Sequence, residues 1–299
     1  MLTALVAFAG PVMIIGVAPA TALSSLSEQL SQKIAEARRY ERSRNFDAAF
    51  AIYEKAMKMD QGTPQAMRAV LKHRSELFEQ VSLFDLAEAD LTAASRIQPD
   101  DATAYGDRGY FYMRRGRYGN ALDDFITGSR LDPQNPMYLY AAARSLIAVD
   151  DFAGAVTFYT EAIKAAPNDG KLYLARAEAQ VRLKRWPNAQ ADYDRAQSLG
   201  VSTTAEKYFL HAGRGYVALV LGDYDTALTR LGNALTIDPD ATNVLMWRGY
   251  ANERRGYTAA ALRDYERAAR LLPNDISARD SMRRMQIAVR EAGVATVNR

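Results

Sequence analysis

The sequence contains no cysteine and only two histidines. The first absence excludes disulfides, thiol catalysis, thiolate metal sites and a lipidated cysteine anchor. The second excludes a histidine-rich zinc or iron site. An excess of one charge sign is also missing: 38 Lys and Arg stand against 35 Asp and Glu, a net charge of +3. Nucleic-acid binders concentrate basic residues on one face, and stacking of bases on the 17 tyrosines would need an electropositive groove that nothing here supplies. Neither G-x-x-x-x-G-K-[ST] nor H-E-x-x-H occurs. Adjacent acids occur at Asp100-Asp101, Asp123-Asp124 and Asp150-Asp151. The first and last pairs sit where helices start, as caps do, and neighbours on a helix point apart, so none makes a good acid–base dyad. His211 reads as a packed residue. The expectation is a non-enzymatic protein with no cofactor, no metal and no nucleic-acid partner. With 48% hydrophobic and 24% charged residues the chain has the composition of a folded protein.

Residues Leu2 to Leu23 carry no charge and are interrupted by Gly10, Pro11 and Pro19. Ala18-Pro19-Ala20 and Ala20-Thr21-Ala22 offer the small residues a signal peptidase reads. Residues 1–22 are therefore read as a signal peptide cut after Ala22 or Ala20, which places the protein in the periplasm. The alternative is a retained N-terminal membrane anchor, since about 20 apolar residues suffice to span. Membrane association is expected only if this leader is uncut. Residues 23–29 read as a linker.

The remainder repeats. Gly109 to Phe125 (GYFYMRRGRYGNALDDF) recurs as Gly215 to Leu231 (GYVALVLGDYDTALTRL) and as Gly249 to Tyr265 (GYANERRGYTAAALRDY). One alanine marks each unit, at 49, 87, 121, 155, 189, 227 and 261, with gaps of 38, 34, 34, 34, 38 and 34. Four extra residues are about one helical turn, so each insertion lengthens a helix without rotating its apolar face. The extra turns are expected near Pro64 to Met67 and Thr204 to Lys207, with Thr203 and Glu206 forming a capping box. Gly116, Gly222 and Gly256 fall where first helices should end. Pro99, Pro133, Pro167, Pro239 and Pro273 follow the second helices and hold the preceding residue out of the helical region.

These residues resemble the tetratricopeptide repeat (TPR) pattern. Seven repeats are laid out as 30–63, 68–101, 102–135, 136–169, 170–203, 208–241 and 242–275, with 276–299 as a capping helix and tail. Position 8 of each is small: Ala37, Ser75, Gly109, Ala143, Ala177, Gly215 and Gly249. Position 17 is aromatic in six: Phe46, Phe84, Tyr118, Phe152, Trp186 and Tyr224. The departures are Gln61 and Val201 in place of proline, and Thr258 in place of an aromatic, with Tyr257 one residue early. The resemblance implies an all-α fold, a right-handed αα-superhelix. Stacked pairs would share a core that no single pair can bury.

Two features go beyond the pattern. Arg at position 7 is matched by Asp at position 23 of the same repeat in Arg74/Asp90, Arg108/Asp124, Arg176/Asp192 and Arg248/Asp264. Intra-repeat ion pairs are expected there. Repeat six departs, with Arg214 opposite Arg230, and Arg214 is expected to borrow Asp192. In the family, first-helix positions 2, 5, 9, 12 and 13 line the concave surface. Here they supply Phe209, Tyr140, Met246, Tyr110, Tyr216, Tyr250 and Met113, with Arg114, Arg182 and Arg254 at position 13. Position 9 holds no Asn, so the Lys/Asn set that clamps chaperone tails is missing. Large apolar contacts beside arginines suit an extended peptide or partner protein with apolar and some acidic residues. The function expected is an interaction scaffold; the alternative is an assembly subunit using its outer faces.

Overall fold

A computed structural model describes residues 20–59 and 63–297. Most of the leader segment lies outside them. The described residues form helices and no strand. They fall into two compact units, Met1–Asp132 and Pro133–Arg299.

The first unit contains α1 (Ala20–Arg42), α2 (Phe46–Met57), α3 (Pro64–Gln80), α4 (Phe84–Ile97), α5 (Ala102–Arg114) and α6 (Tyr118–Leu131). The second contains α7 (Pro136–Ile147), α8 (Phe152–Ala165), α9 (Gly170–Arg182), α10 (Trp186–Leu199), α11 (Thr204–Val220), α12 (Tyr224–Ile237), α13 (Thr242–Arg254), α14 (Thr258–Leu271) and α15 (Ile276–Val297). In both units each odd-numbered helix through α13 packs on the helix that follows it, and α15 packs on α14. Among the described residues no helix is long and apolar enough to cross a membrane.

After α1, the two longer gaps in the repeat spacing become the two longer first helices. α3 and α11 have 17 residues, against 12 or 13 in α5, α7, α9 and α13. α11 starts at a capping box in which Thr203 accepts from the Glu206 amide while the Glu206 carboxylate accepts from the Thr203 amide. The linker reading of residues 23–29 is corrected: they belong to α1. No Gly or Pro interrupts Ala20–Arg42. Leu30 is fully buried, and Ser27 shares a 2.9 Å hydrogen bond with Thr63 ahead of α3.

Every repeat turns at position 15 with a positive φ. Gly116, Gly222 and Gly256 adopt it at 70°, 82° and 76°. Arg44, Ser82, Asp150 and Lys184 adopt it at 57° to 62° without glycine's freedom. The second helices stop two residues before Pro99, Pro133, Pro167, Pro239 and Pro273. Where Val201 replaces the proline, Gly200 ends α10 at φ 85°.

The core has a column the sequence pattern did not announce. Position 24 is a buried large residue in every repeat: Tyr53, Leu91, Phe125, Tyr159, Tyr193, Leu231 and Tyr265. In repeats three, six and seven it lies over the glycine at position 8. A methyl group on Gly249 would come within 2.6 Å of the Tyr265 ring, and one on Gly109 within 2.8 Å of Phe125. With Leu231 as close to Gly215, these three repeats have no room for even a methyl group at position 8. Burial raises the Tyr53 and Tyr265 hydroxyls above their ordinary range, and both donate to acids of the first helix, Glu41 and Glu253.

Candidate functional site

The ion pairs between positions 7 and 23 form in all four expected repeats. Each guanidinium meets its carboxylate twice, Nε to Oδ2 at 2.8–2.9 Å and Nη2 to Oδ1 at 2.6–2.7 Å. The aspartates are buried, about 5% exposed. Dehydration pushes the Asp90 and Asp124 carboxyls upward more than the facing guanidinium pulls them down. Arg108 and Arg176 carry a third bond, to Ser95 and Thr160 of the preceding repeat. The pairs thus brace two helices and, in these two repeats, tie one repeat to the one before. Repeat six is corrected. Asp192 is held by Arg176, so Arg214 reaches instead to Asp194 Oδ1 at 2.5 Å.

The expected binding residues divide between the units. In the first, Tyr110 is 41% exposed and packs edge-on against Phe125, while Met113 is half-buried. Arg114 is exposed, yet both its Nε and its Nη2 donate to Glu79 of the preceding repeat. In the second unit Phe209 and Tyr250 are 51% and 41% exposed. Arg254 joins Tyr250, donating to its hydroxyl at 3.2 Å, with its guanidinium over the Tyr224 ring. Arg182 lies over Phe152 at 4.1 Å and pairs loosely with Asp150.

Tyr140, Tyr216 and Met246 are half-buried. Tyr140 packs on Tyr159 with the Lys171 ammonium over its ring. Tyr216 is wedged between Trp186 and Trp247, at ring distances of 6.1 and 4.6 Å. Met246 packs against the core clusters around α12 and α14. Position 5 in these repeats therefore faces the neighbouring repeat more than solvent, and position 12 is half-buried at Met113, Ile147 and Val181 and buried at Leu219. Positions 2, 9 and 13 carry the exposed members of the set, with Met137 exposed at position 2 of α7 and Tyr216 the exception at position 9.

In the second unit the expected set omitted two exposed residues at position 9, Arg144 of α7 and Glu178 of α9; Glu178 differs from the rest in its charge. It is an exposed residue whose carboxyl lies within electrostatic reach of Arg144, Tyr159 and Tyr193. Loss of hydration raises its carboxyl to about 7, against the smaller opposing pull of Arg144. His73 bonds Glu76 at 3.0 Å. Among the described residues no group of His, Cys, Asp or Glu could hold a metal ion.

The tetratricopeptide repeat family model matches residues 76–136, 140–200 and 213–276, more than half of the sequence. The chain belongs to the tetratricopeptide repeat family, an all-α fold of protein–protein interaction scaffolds. It is 29% identical over 119 residues to the small glutamine-rich tetratricopeptide repeat-containing protein 2 of Mycosarcoma maydis, covering 40% of this chain and 32% of that one. It is 34% identical over 93 residues to a protein SGT1 homolog of Oryza sativa subsp. japonica, covering 31% and 24%. The chain thus spans a third or less of the length of these relatives. Among solved structures it resembles a tetratricopeptide repeat protein from Parabacteroides merdae, with TM-score 0.56, 16% identity and coverage of 88% and 99%. It also resembles YrrB, described as a TPR protein with an unusual peptide-binding site, with TM-score 0.55, 19% identity and coverage of 64% and 97%. Both likenesses concern the fold.

Proposed function

We propose that the protein is a non-catalytic scaffold that holds an extended segment of a partner protein on the first-helix face of its second unit. One observation carries this reading. Large apolar side chains left exposed within helices lie mainly on first helices: Tyr40, Tyr110, Met137, Phe209, Val220 and Tyr250. The second helices expose only Leu131 and Leu271, each at its last residue. The first-helix set keeps 37–51% of its surface open even where a ring packs on a neighbour, as Tyr110 does on Phe125, and aromatic residues of this kind anchor interfaces. Arg254 beside Tyr250, and Arg182 at the same repeat position of α9, suit carboxylates on the ligand. The partner class is a peptide with apolar side chains and some Asp or Glu.

The test is selection of peptides from a random library on the full chain, followed by affinity measurement. Enriched peptides should be apolar with acidic positions. Phe209→Ala/Tyr250→Ala should weaken them about tenfold or more, as loss of an anchor does, and Arg182→Ala/Arg254→Ala should weaken only acidic ones. Unchanged affinity in both variants, with unchanged thermal stability, would refute the reading. A second reading, an assembly subunit, rests on Leu272, Ile276 and Ile287, exposed around the C-terminal cap at 46%, 66% and 56%. It predicts self-association that Ile276→Lys/Ile287→Lys abolishes.

We also read residues 1–22 as an export signal, on the uncharged run and its small-residue sites. N-terminal sequencing after expression with the leader tests this, and an intact Met1 in the membrane fraction would refute it.

A further inference from the structure

The four Arg–Asp bridges define what a guanidinium at position 7 meets in this fold: one buried carboxylate, received through both Nε and Nη2. In repeat six the guanidinium remains and the carboxylate is replaced by a second arginine. Arg214 occupies the bridge position on α11 and is as enclosed as its counterparts, with its side chain 17% exposed against 18–19% for Arg74, Arg108 and Arg176. Its only ion pair is a single contact to Asp194, which is itself half exposed. Arg230 of α12, at the position of the missing aspartate, is half-buried and has no ion pair among the described residues. His211, one turn before Arg214, carries a buried Nδ1 with no hydrogen-bond partner. Of two guanidiniums and an unsatisfied imidazole nitrogen, only Arg214 thus meets a carboxylate.

We propose that Arg214 and Arg230, with His211 alongside, form a binding site for a carboxylate supplied from outside the chain. The ligand class follows from the sister repeats, where the same guanidinium is completed by a carboxylate at 2.6–2.9 Å. The electrostatics agree: burial and the Arg230 charge both act against the charged forms of Arg214 and His211, and an anion would reverse that. At 100° per residue, position 7 lies about 160° around the helix from position 9. The site therefore faces away from the proposed peptide surface and does not depend on it.

The experiment follows the arginine Nε–H signals of the full chain by NMR during titration with acetate, at ionic strength held constant with chloride. Inorganic phosphate runs in a parallel titration. Saturable shifts of the Arg214 signal with acetate are expected. Arg230→Ser should weaken acetate binding about tenfold, the contribution of one charge-assisted pair. Arg230→Asp should abolish it, because it installs the fifth internal bridge, and should raise Tm by about 2–4 °C. Acetate shifts that are linear and unsaturable, or equal in wild type and both variants, overturn the site. Tighter binding of phosphate than of acetate overturns the carboxylate assignment.

Discussion

Removing one member of the Arg108–Asp124 bridge exposes how much the buried pair matters. Asp124→Ala leaves the Arg108 guanidinium enclosed at 18% exposure with one remaining bond, to Ser95 at 3.1 Å. Orphaning a buried charge costs about 3–5 kcal/mol. The surviving Ser95 bond and the residual solvent contact place this case near the lower end, about 3 kcal/mol. Arg108→Met leaves Asp124, with its side chain 6% exposed, without its counter-ion. Burial already pushes that carboxyl upward, and removing the guanidinium pushes it further. The folded form then holds the proton more tightly than the unfolded chain does. The deficit of Arg108→Met should therefore be largest at and above neutral pH and shrink as pH falls, unlike that of Asp124→Ala. Replacing both as Arg108→Met/Asp124→Leu should be near neutral, because an apolar pair carries no dehydration cost. With single losses of about 3 kcal/mol or more and a double near zero, the pairwise coupling is close to the sum of the two single losses, about 6 kcal/mol. Repeat arrays do not unfold as one unit, so urea midpoints should be paired with hydrogen exchange of the α5 and α6 amides. Single losses below about 0.5 kcal/mol, or strict additivity, would refute the argument and reduce the bridges to surface pairs.

Two further expectations are more local. Glu178 has a folded-state value raised to about 7 from an ordinary 4.5, so its contribution is present below the unfolded value and lost as pH rises through 7; Glu178→Gln should flatten the stability profile across that window, and an unchanged urea-midpoint profile would refute the assignment. Lys184 holds φ at 57° where Gly116, Gly222 and Gly256 stand in other repeats, so Lys184→Gly should be neutral to stabilising by up to about 1 kcal/mol while Gly222→Ala destabilises by a similar amount; thermal melts with the opposite ordering would refute it.

The sequence by itself determined the helix pairs and their order. The 34-residue period is printed in the positions of small residues, and helix spacing converts it directly into two helices and two turns. It also determined which helices are longer, since a four-residue gap is one turn, and where Pro and Gly stop them. Even the Arg–Asp bridges were legible, because two residues that vary together across repeats at fixed offset betray a contact. Tertiary packing decided the rest. The turn at position 15 has the same left-handed backbone in seven repeats, yet only three spell it with glycine; the packing of the pair imposes it on Arg44, Ser82, Asp150 and Lys184. The buried column at position 24 mixes Tyr, Phe and Leu, so no single letter marks it, and its role shows only in how closely it lies over position 8. Tyr216 and Tyr250 share a repeat position, but the two tryptophans flanking Tyr216 draw it into the core while Tyr250 stays open. Arg214's partner was set the same way: Asp192 was already engaged by Arg176, and Asp194 was the carboxylate within reach. Period and composition specify what each helix offers, whereas the neighbour on the next helix decides whether that side chain is buried, paired or left for a ligand.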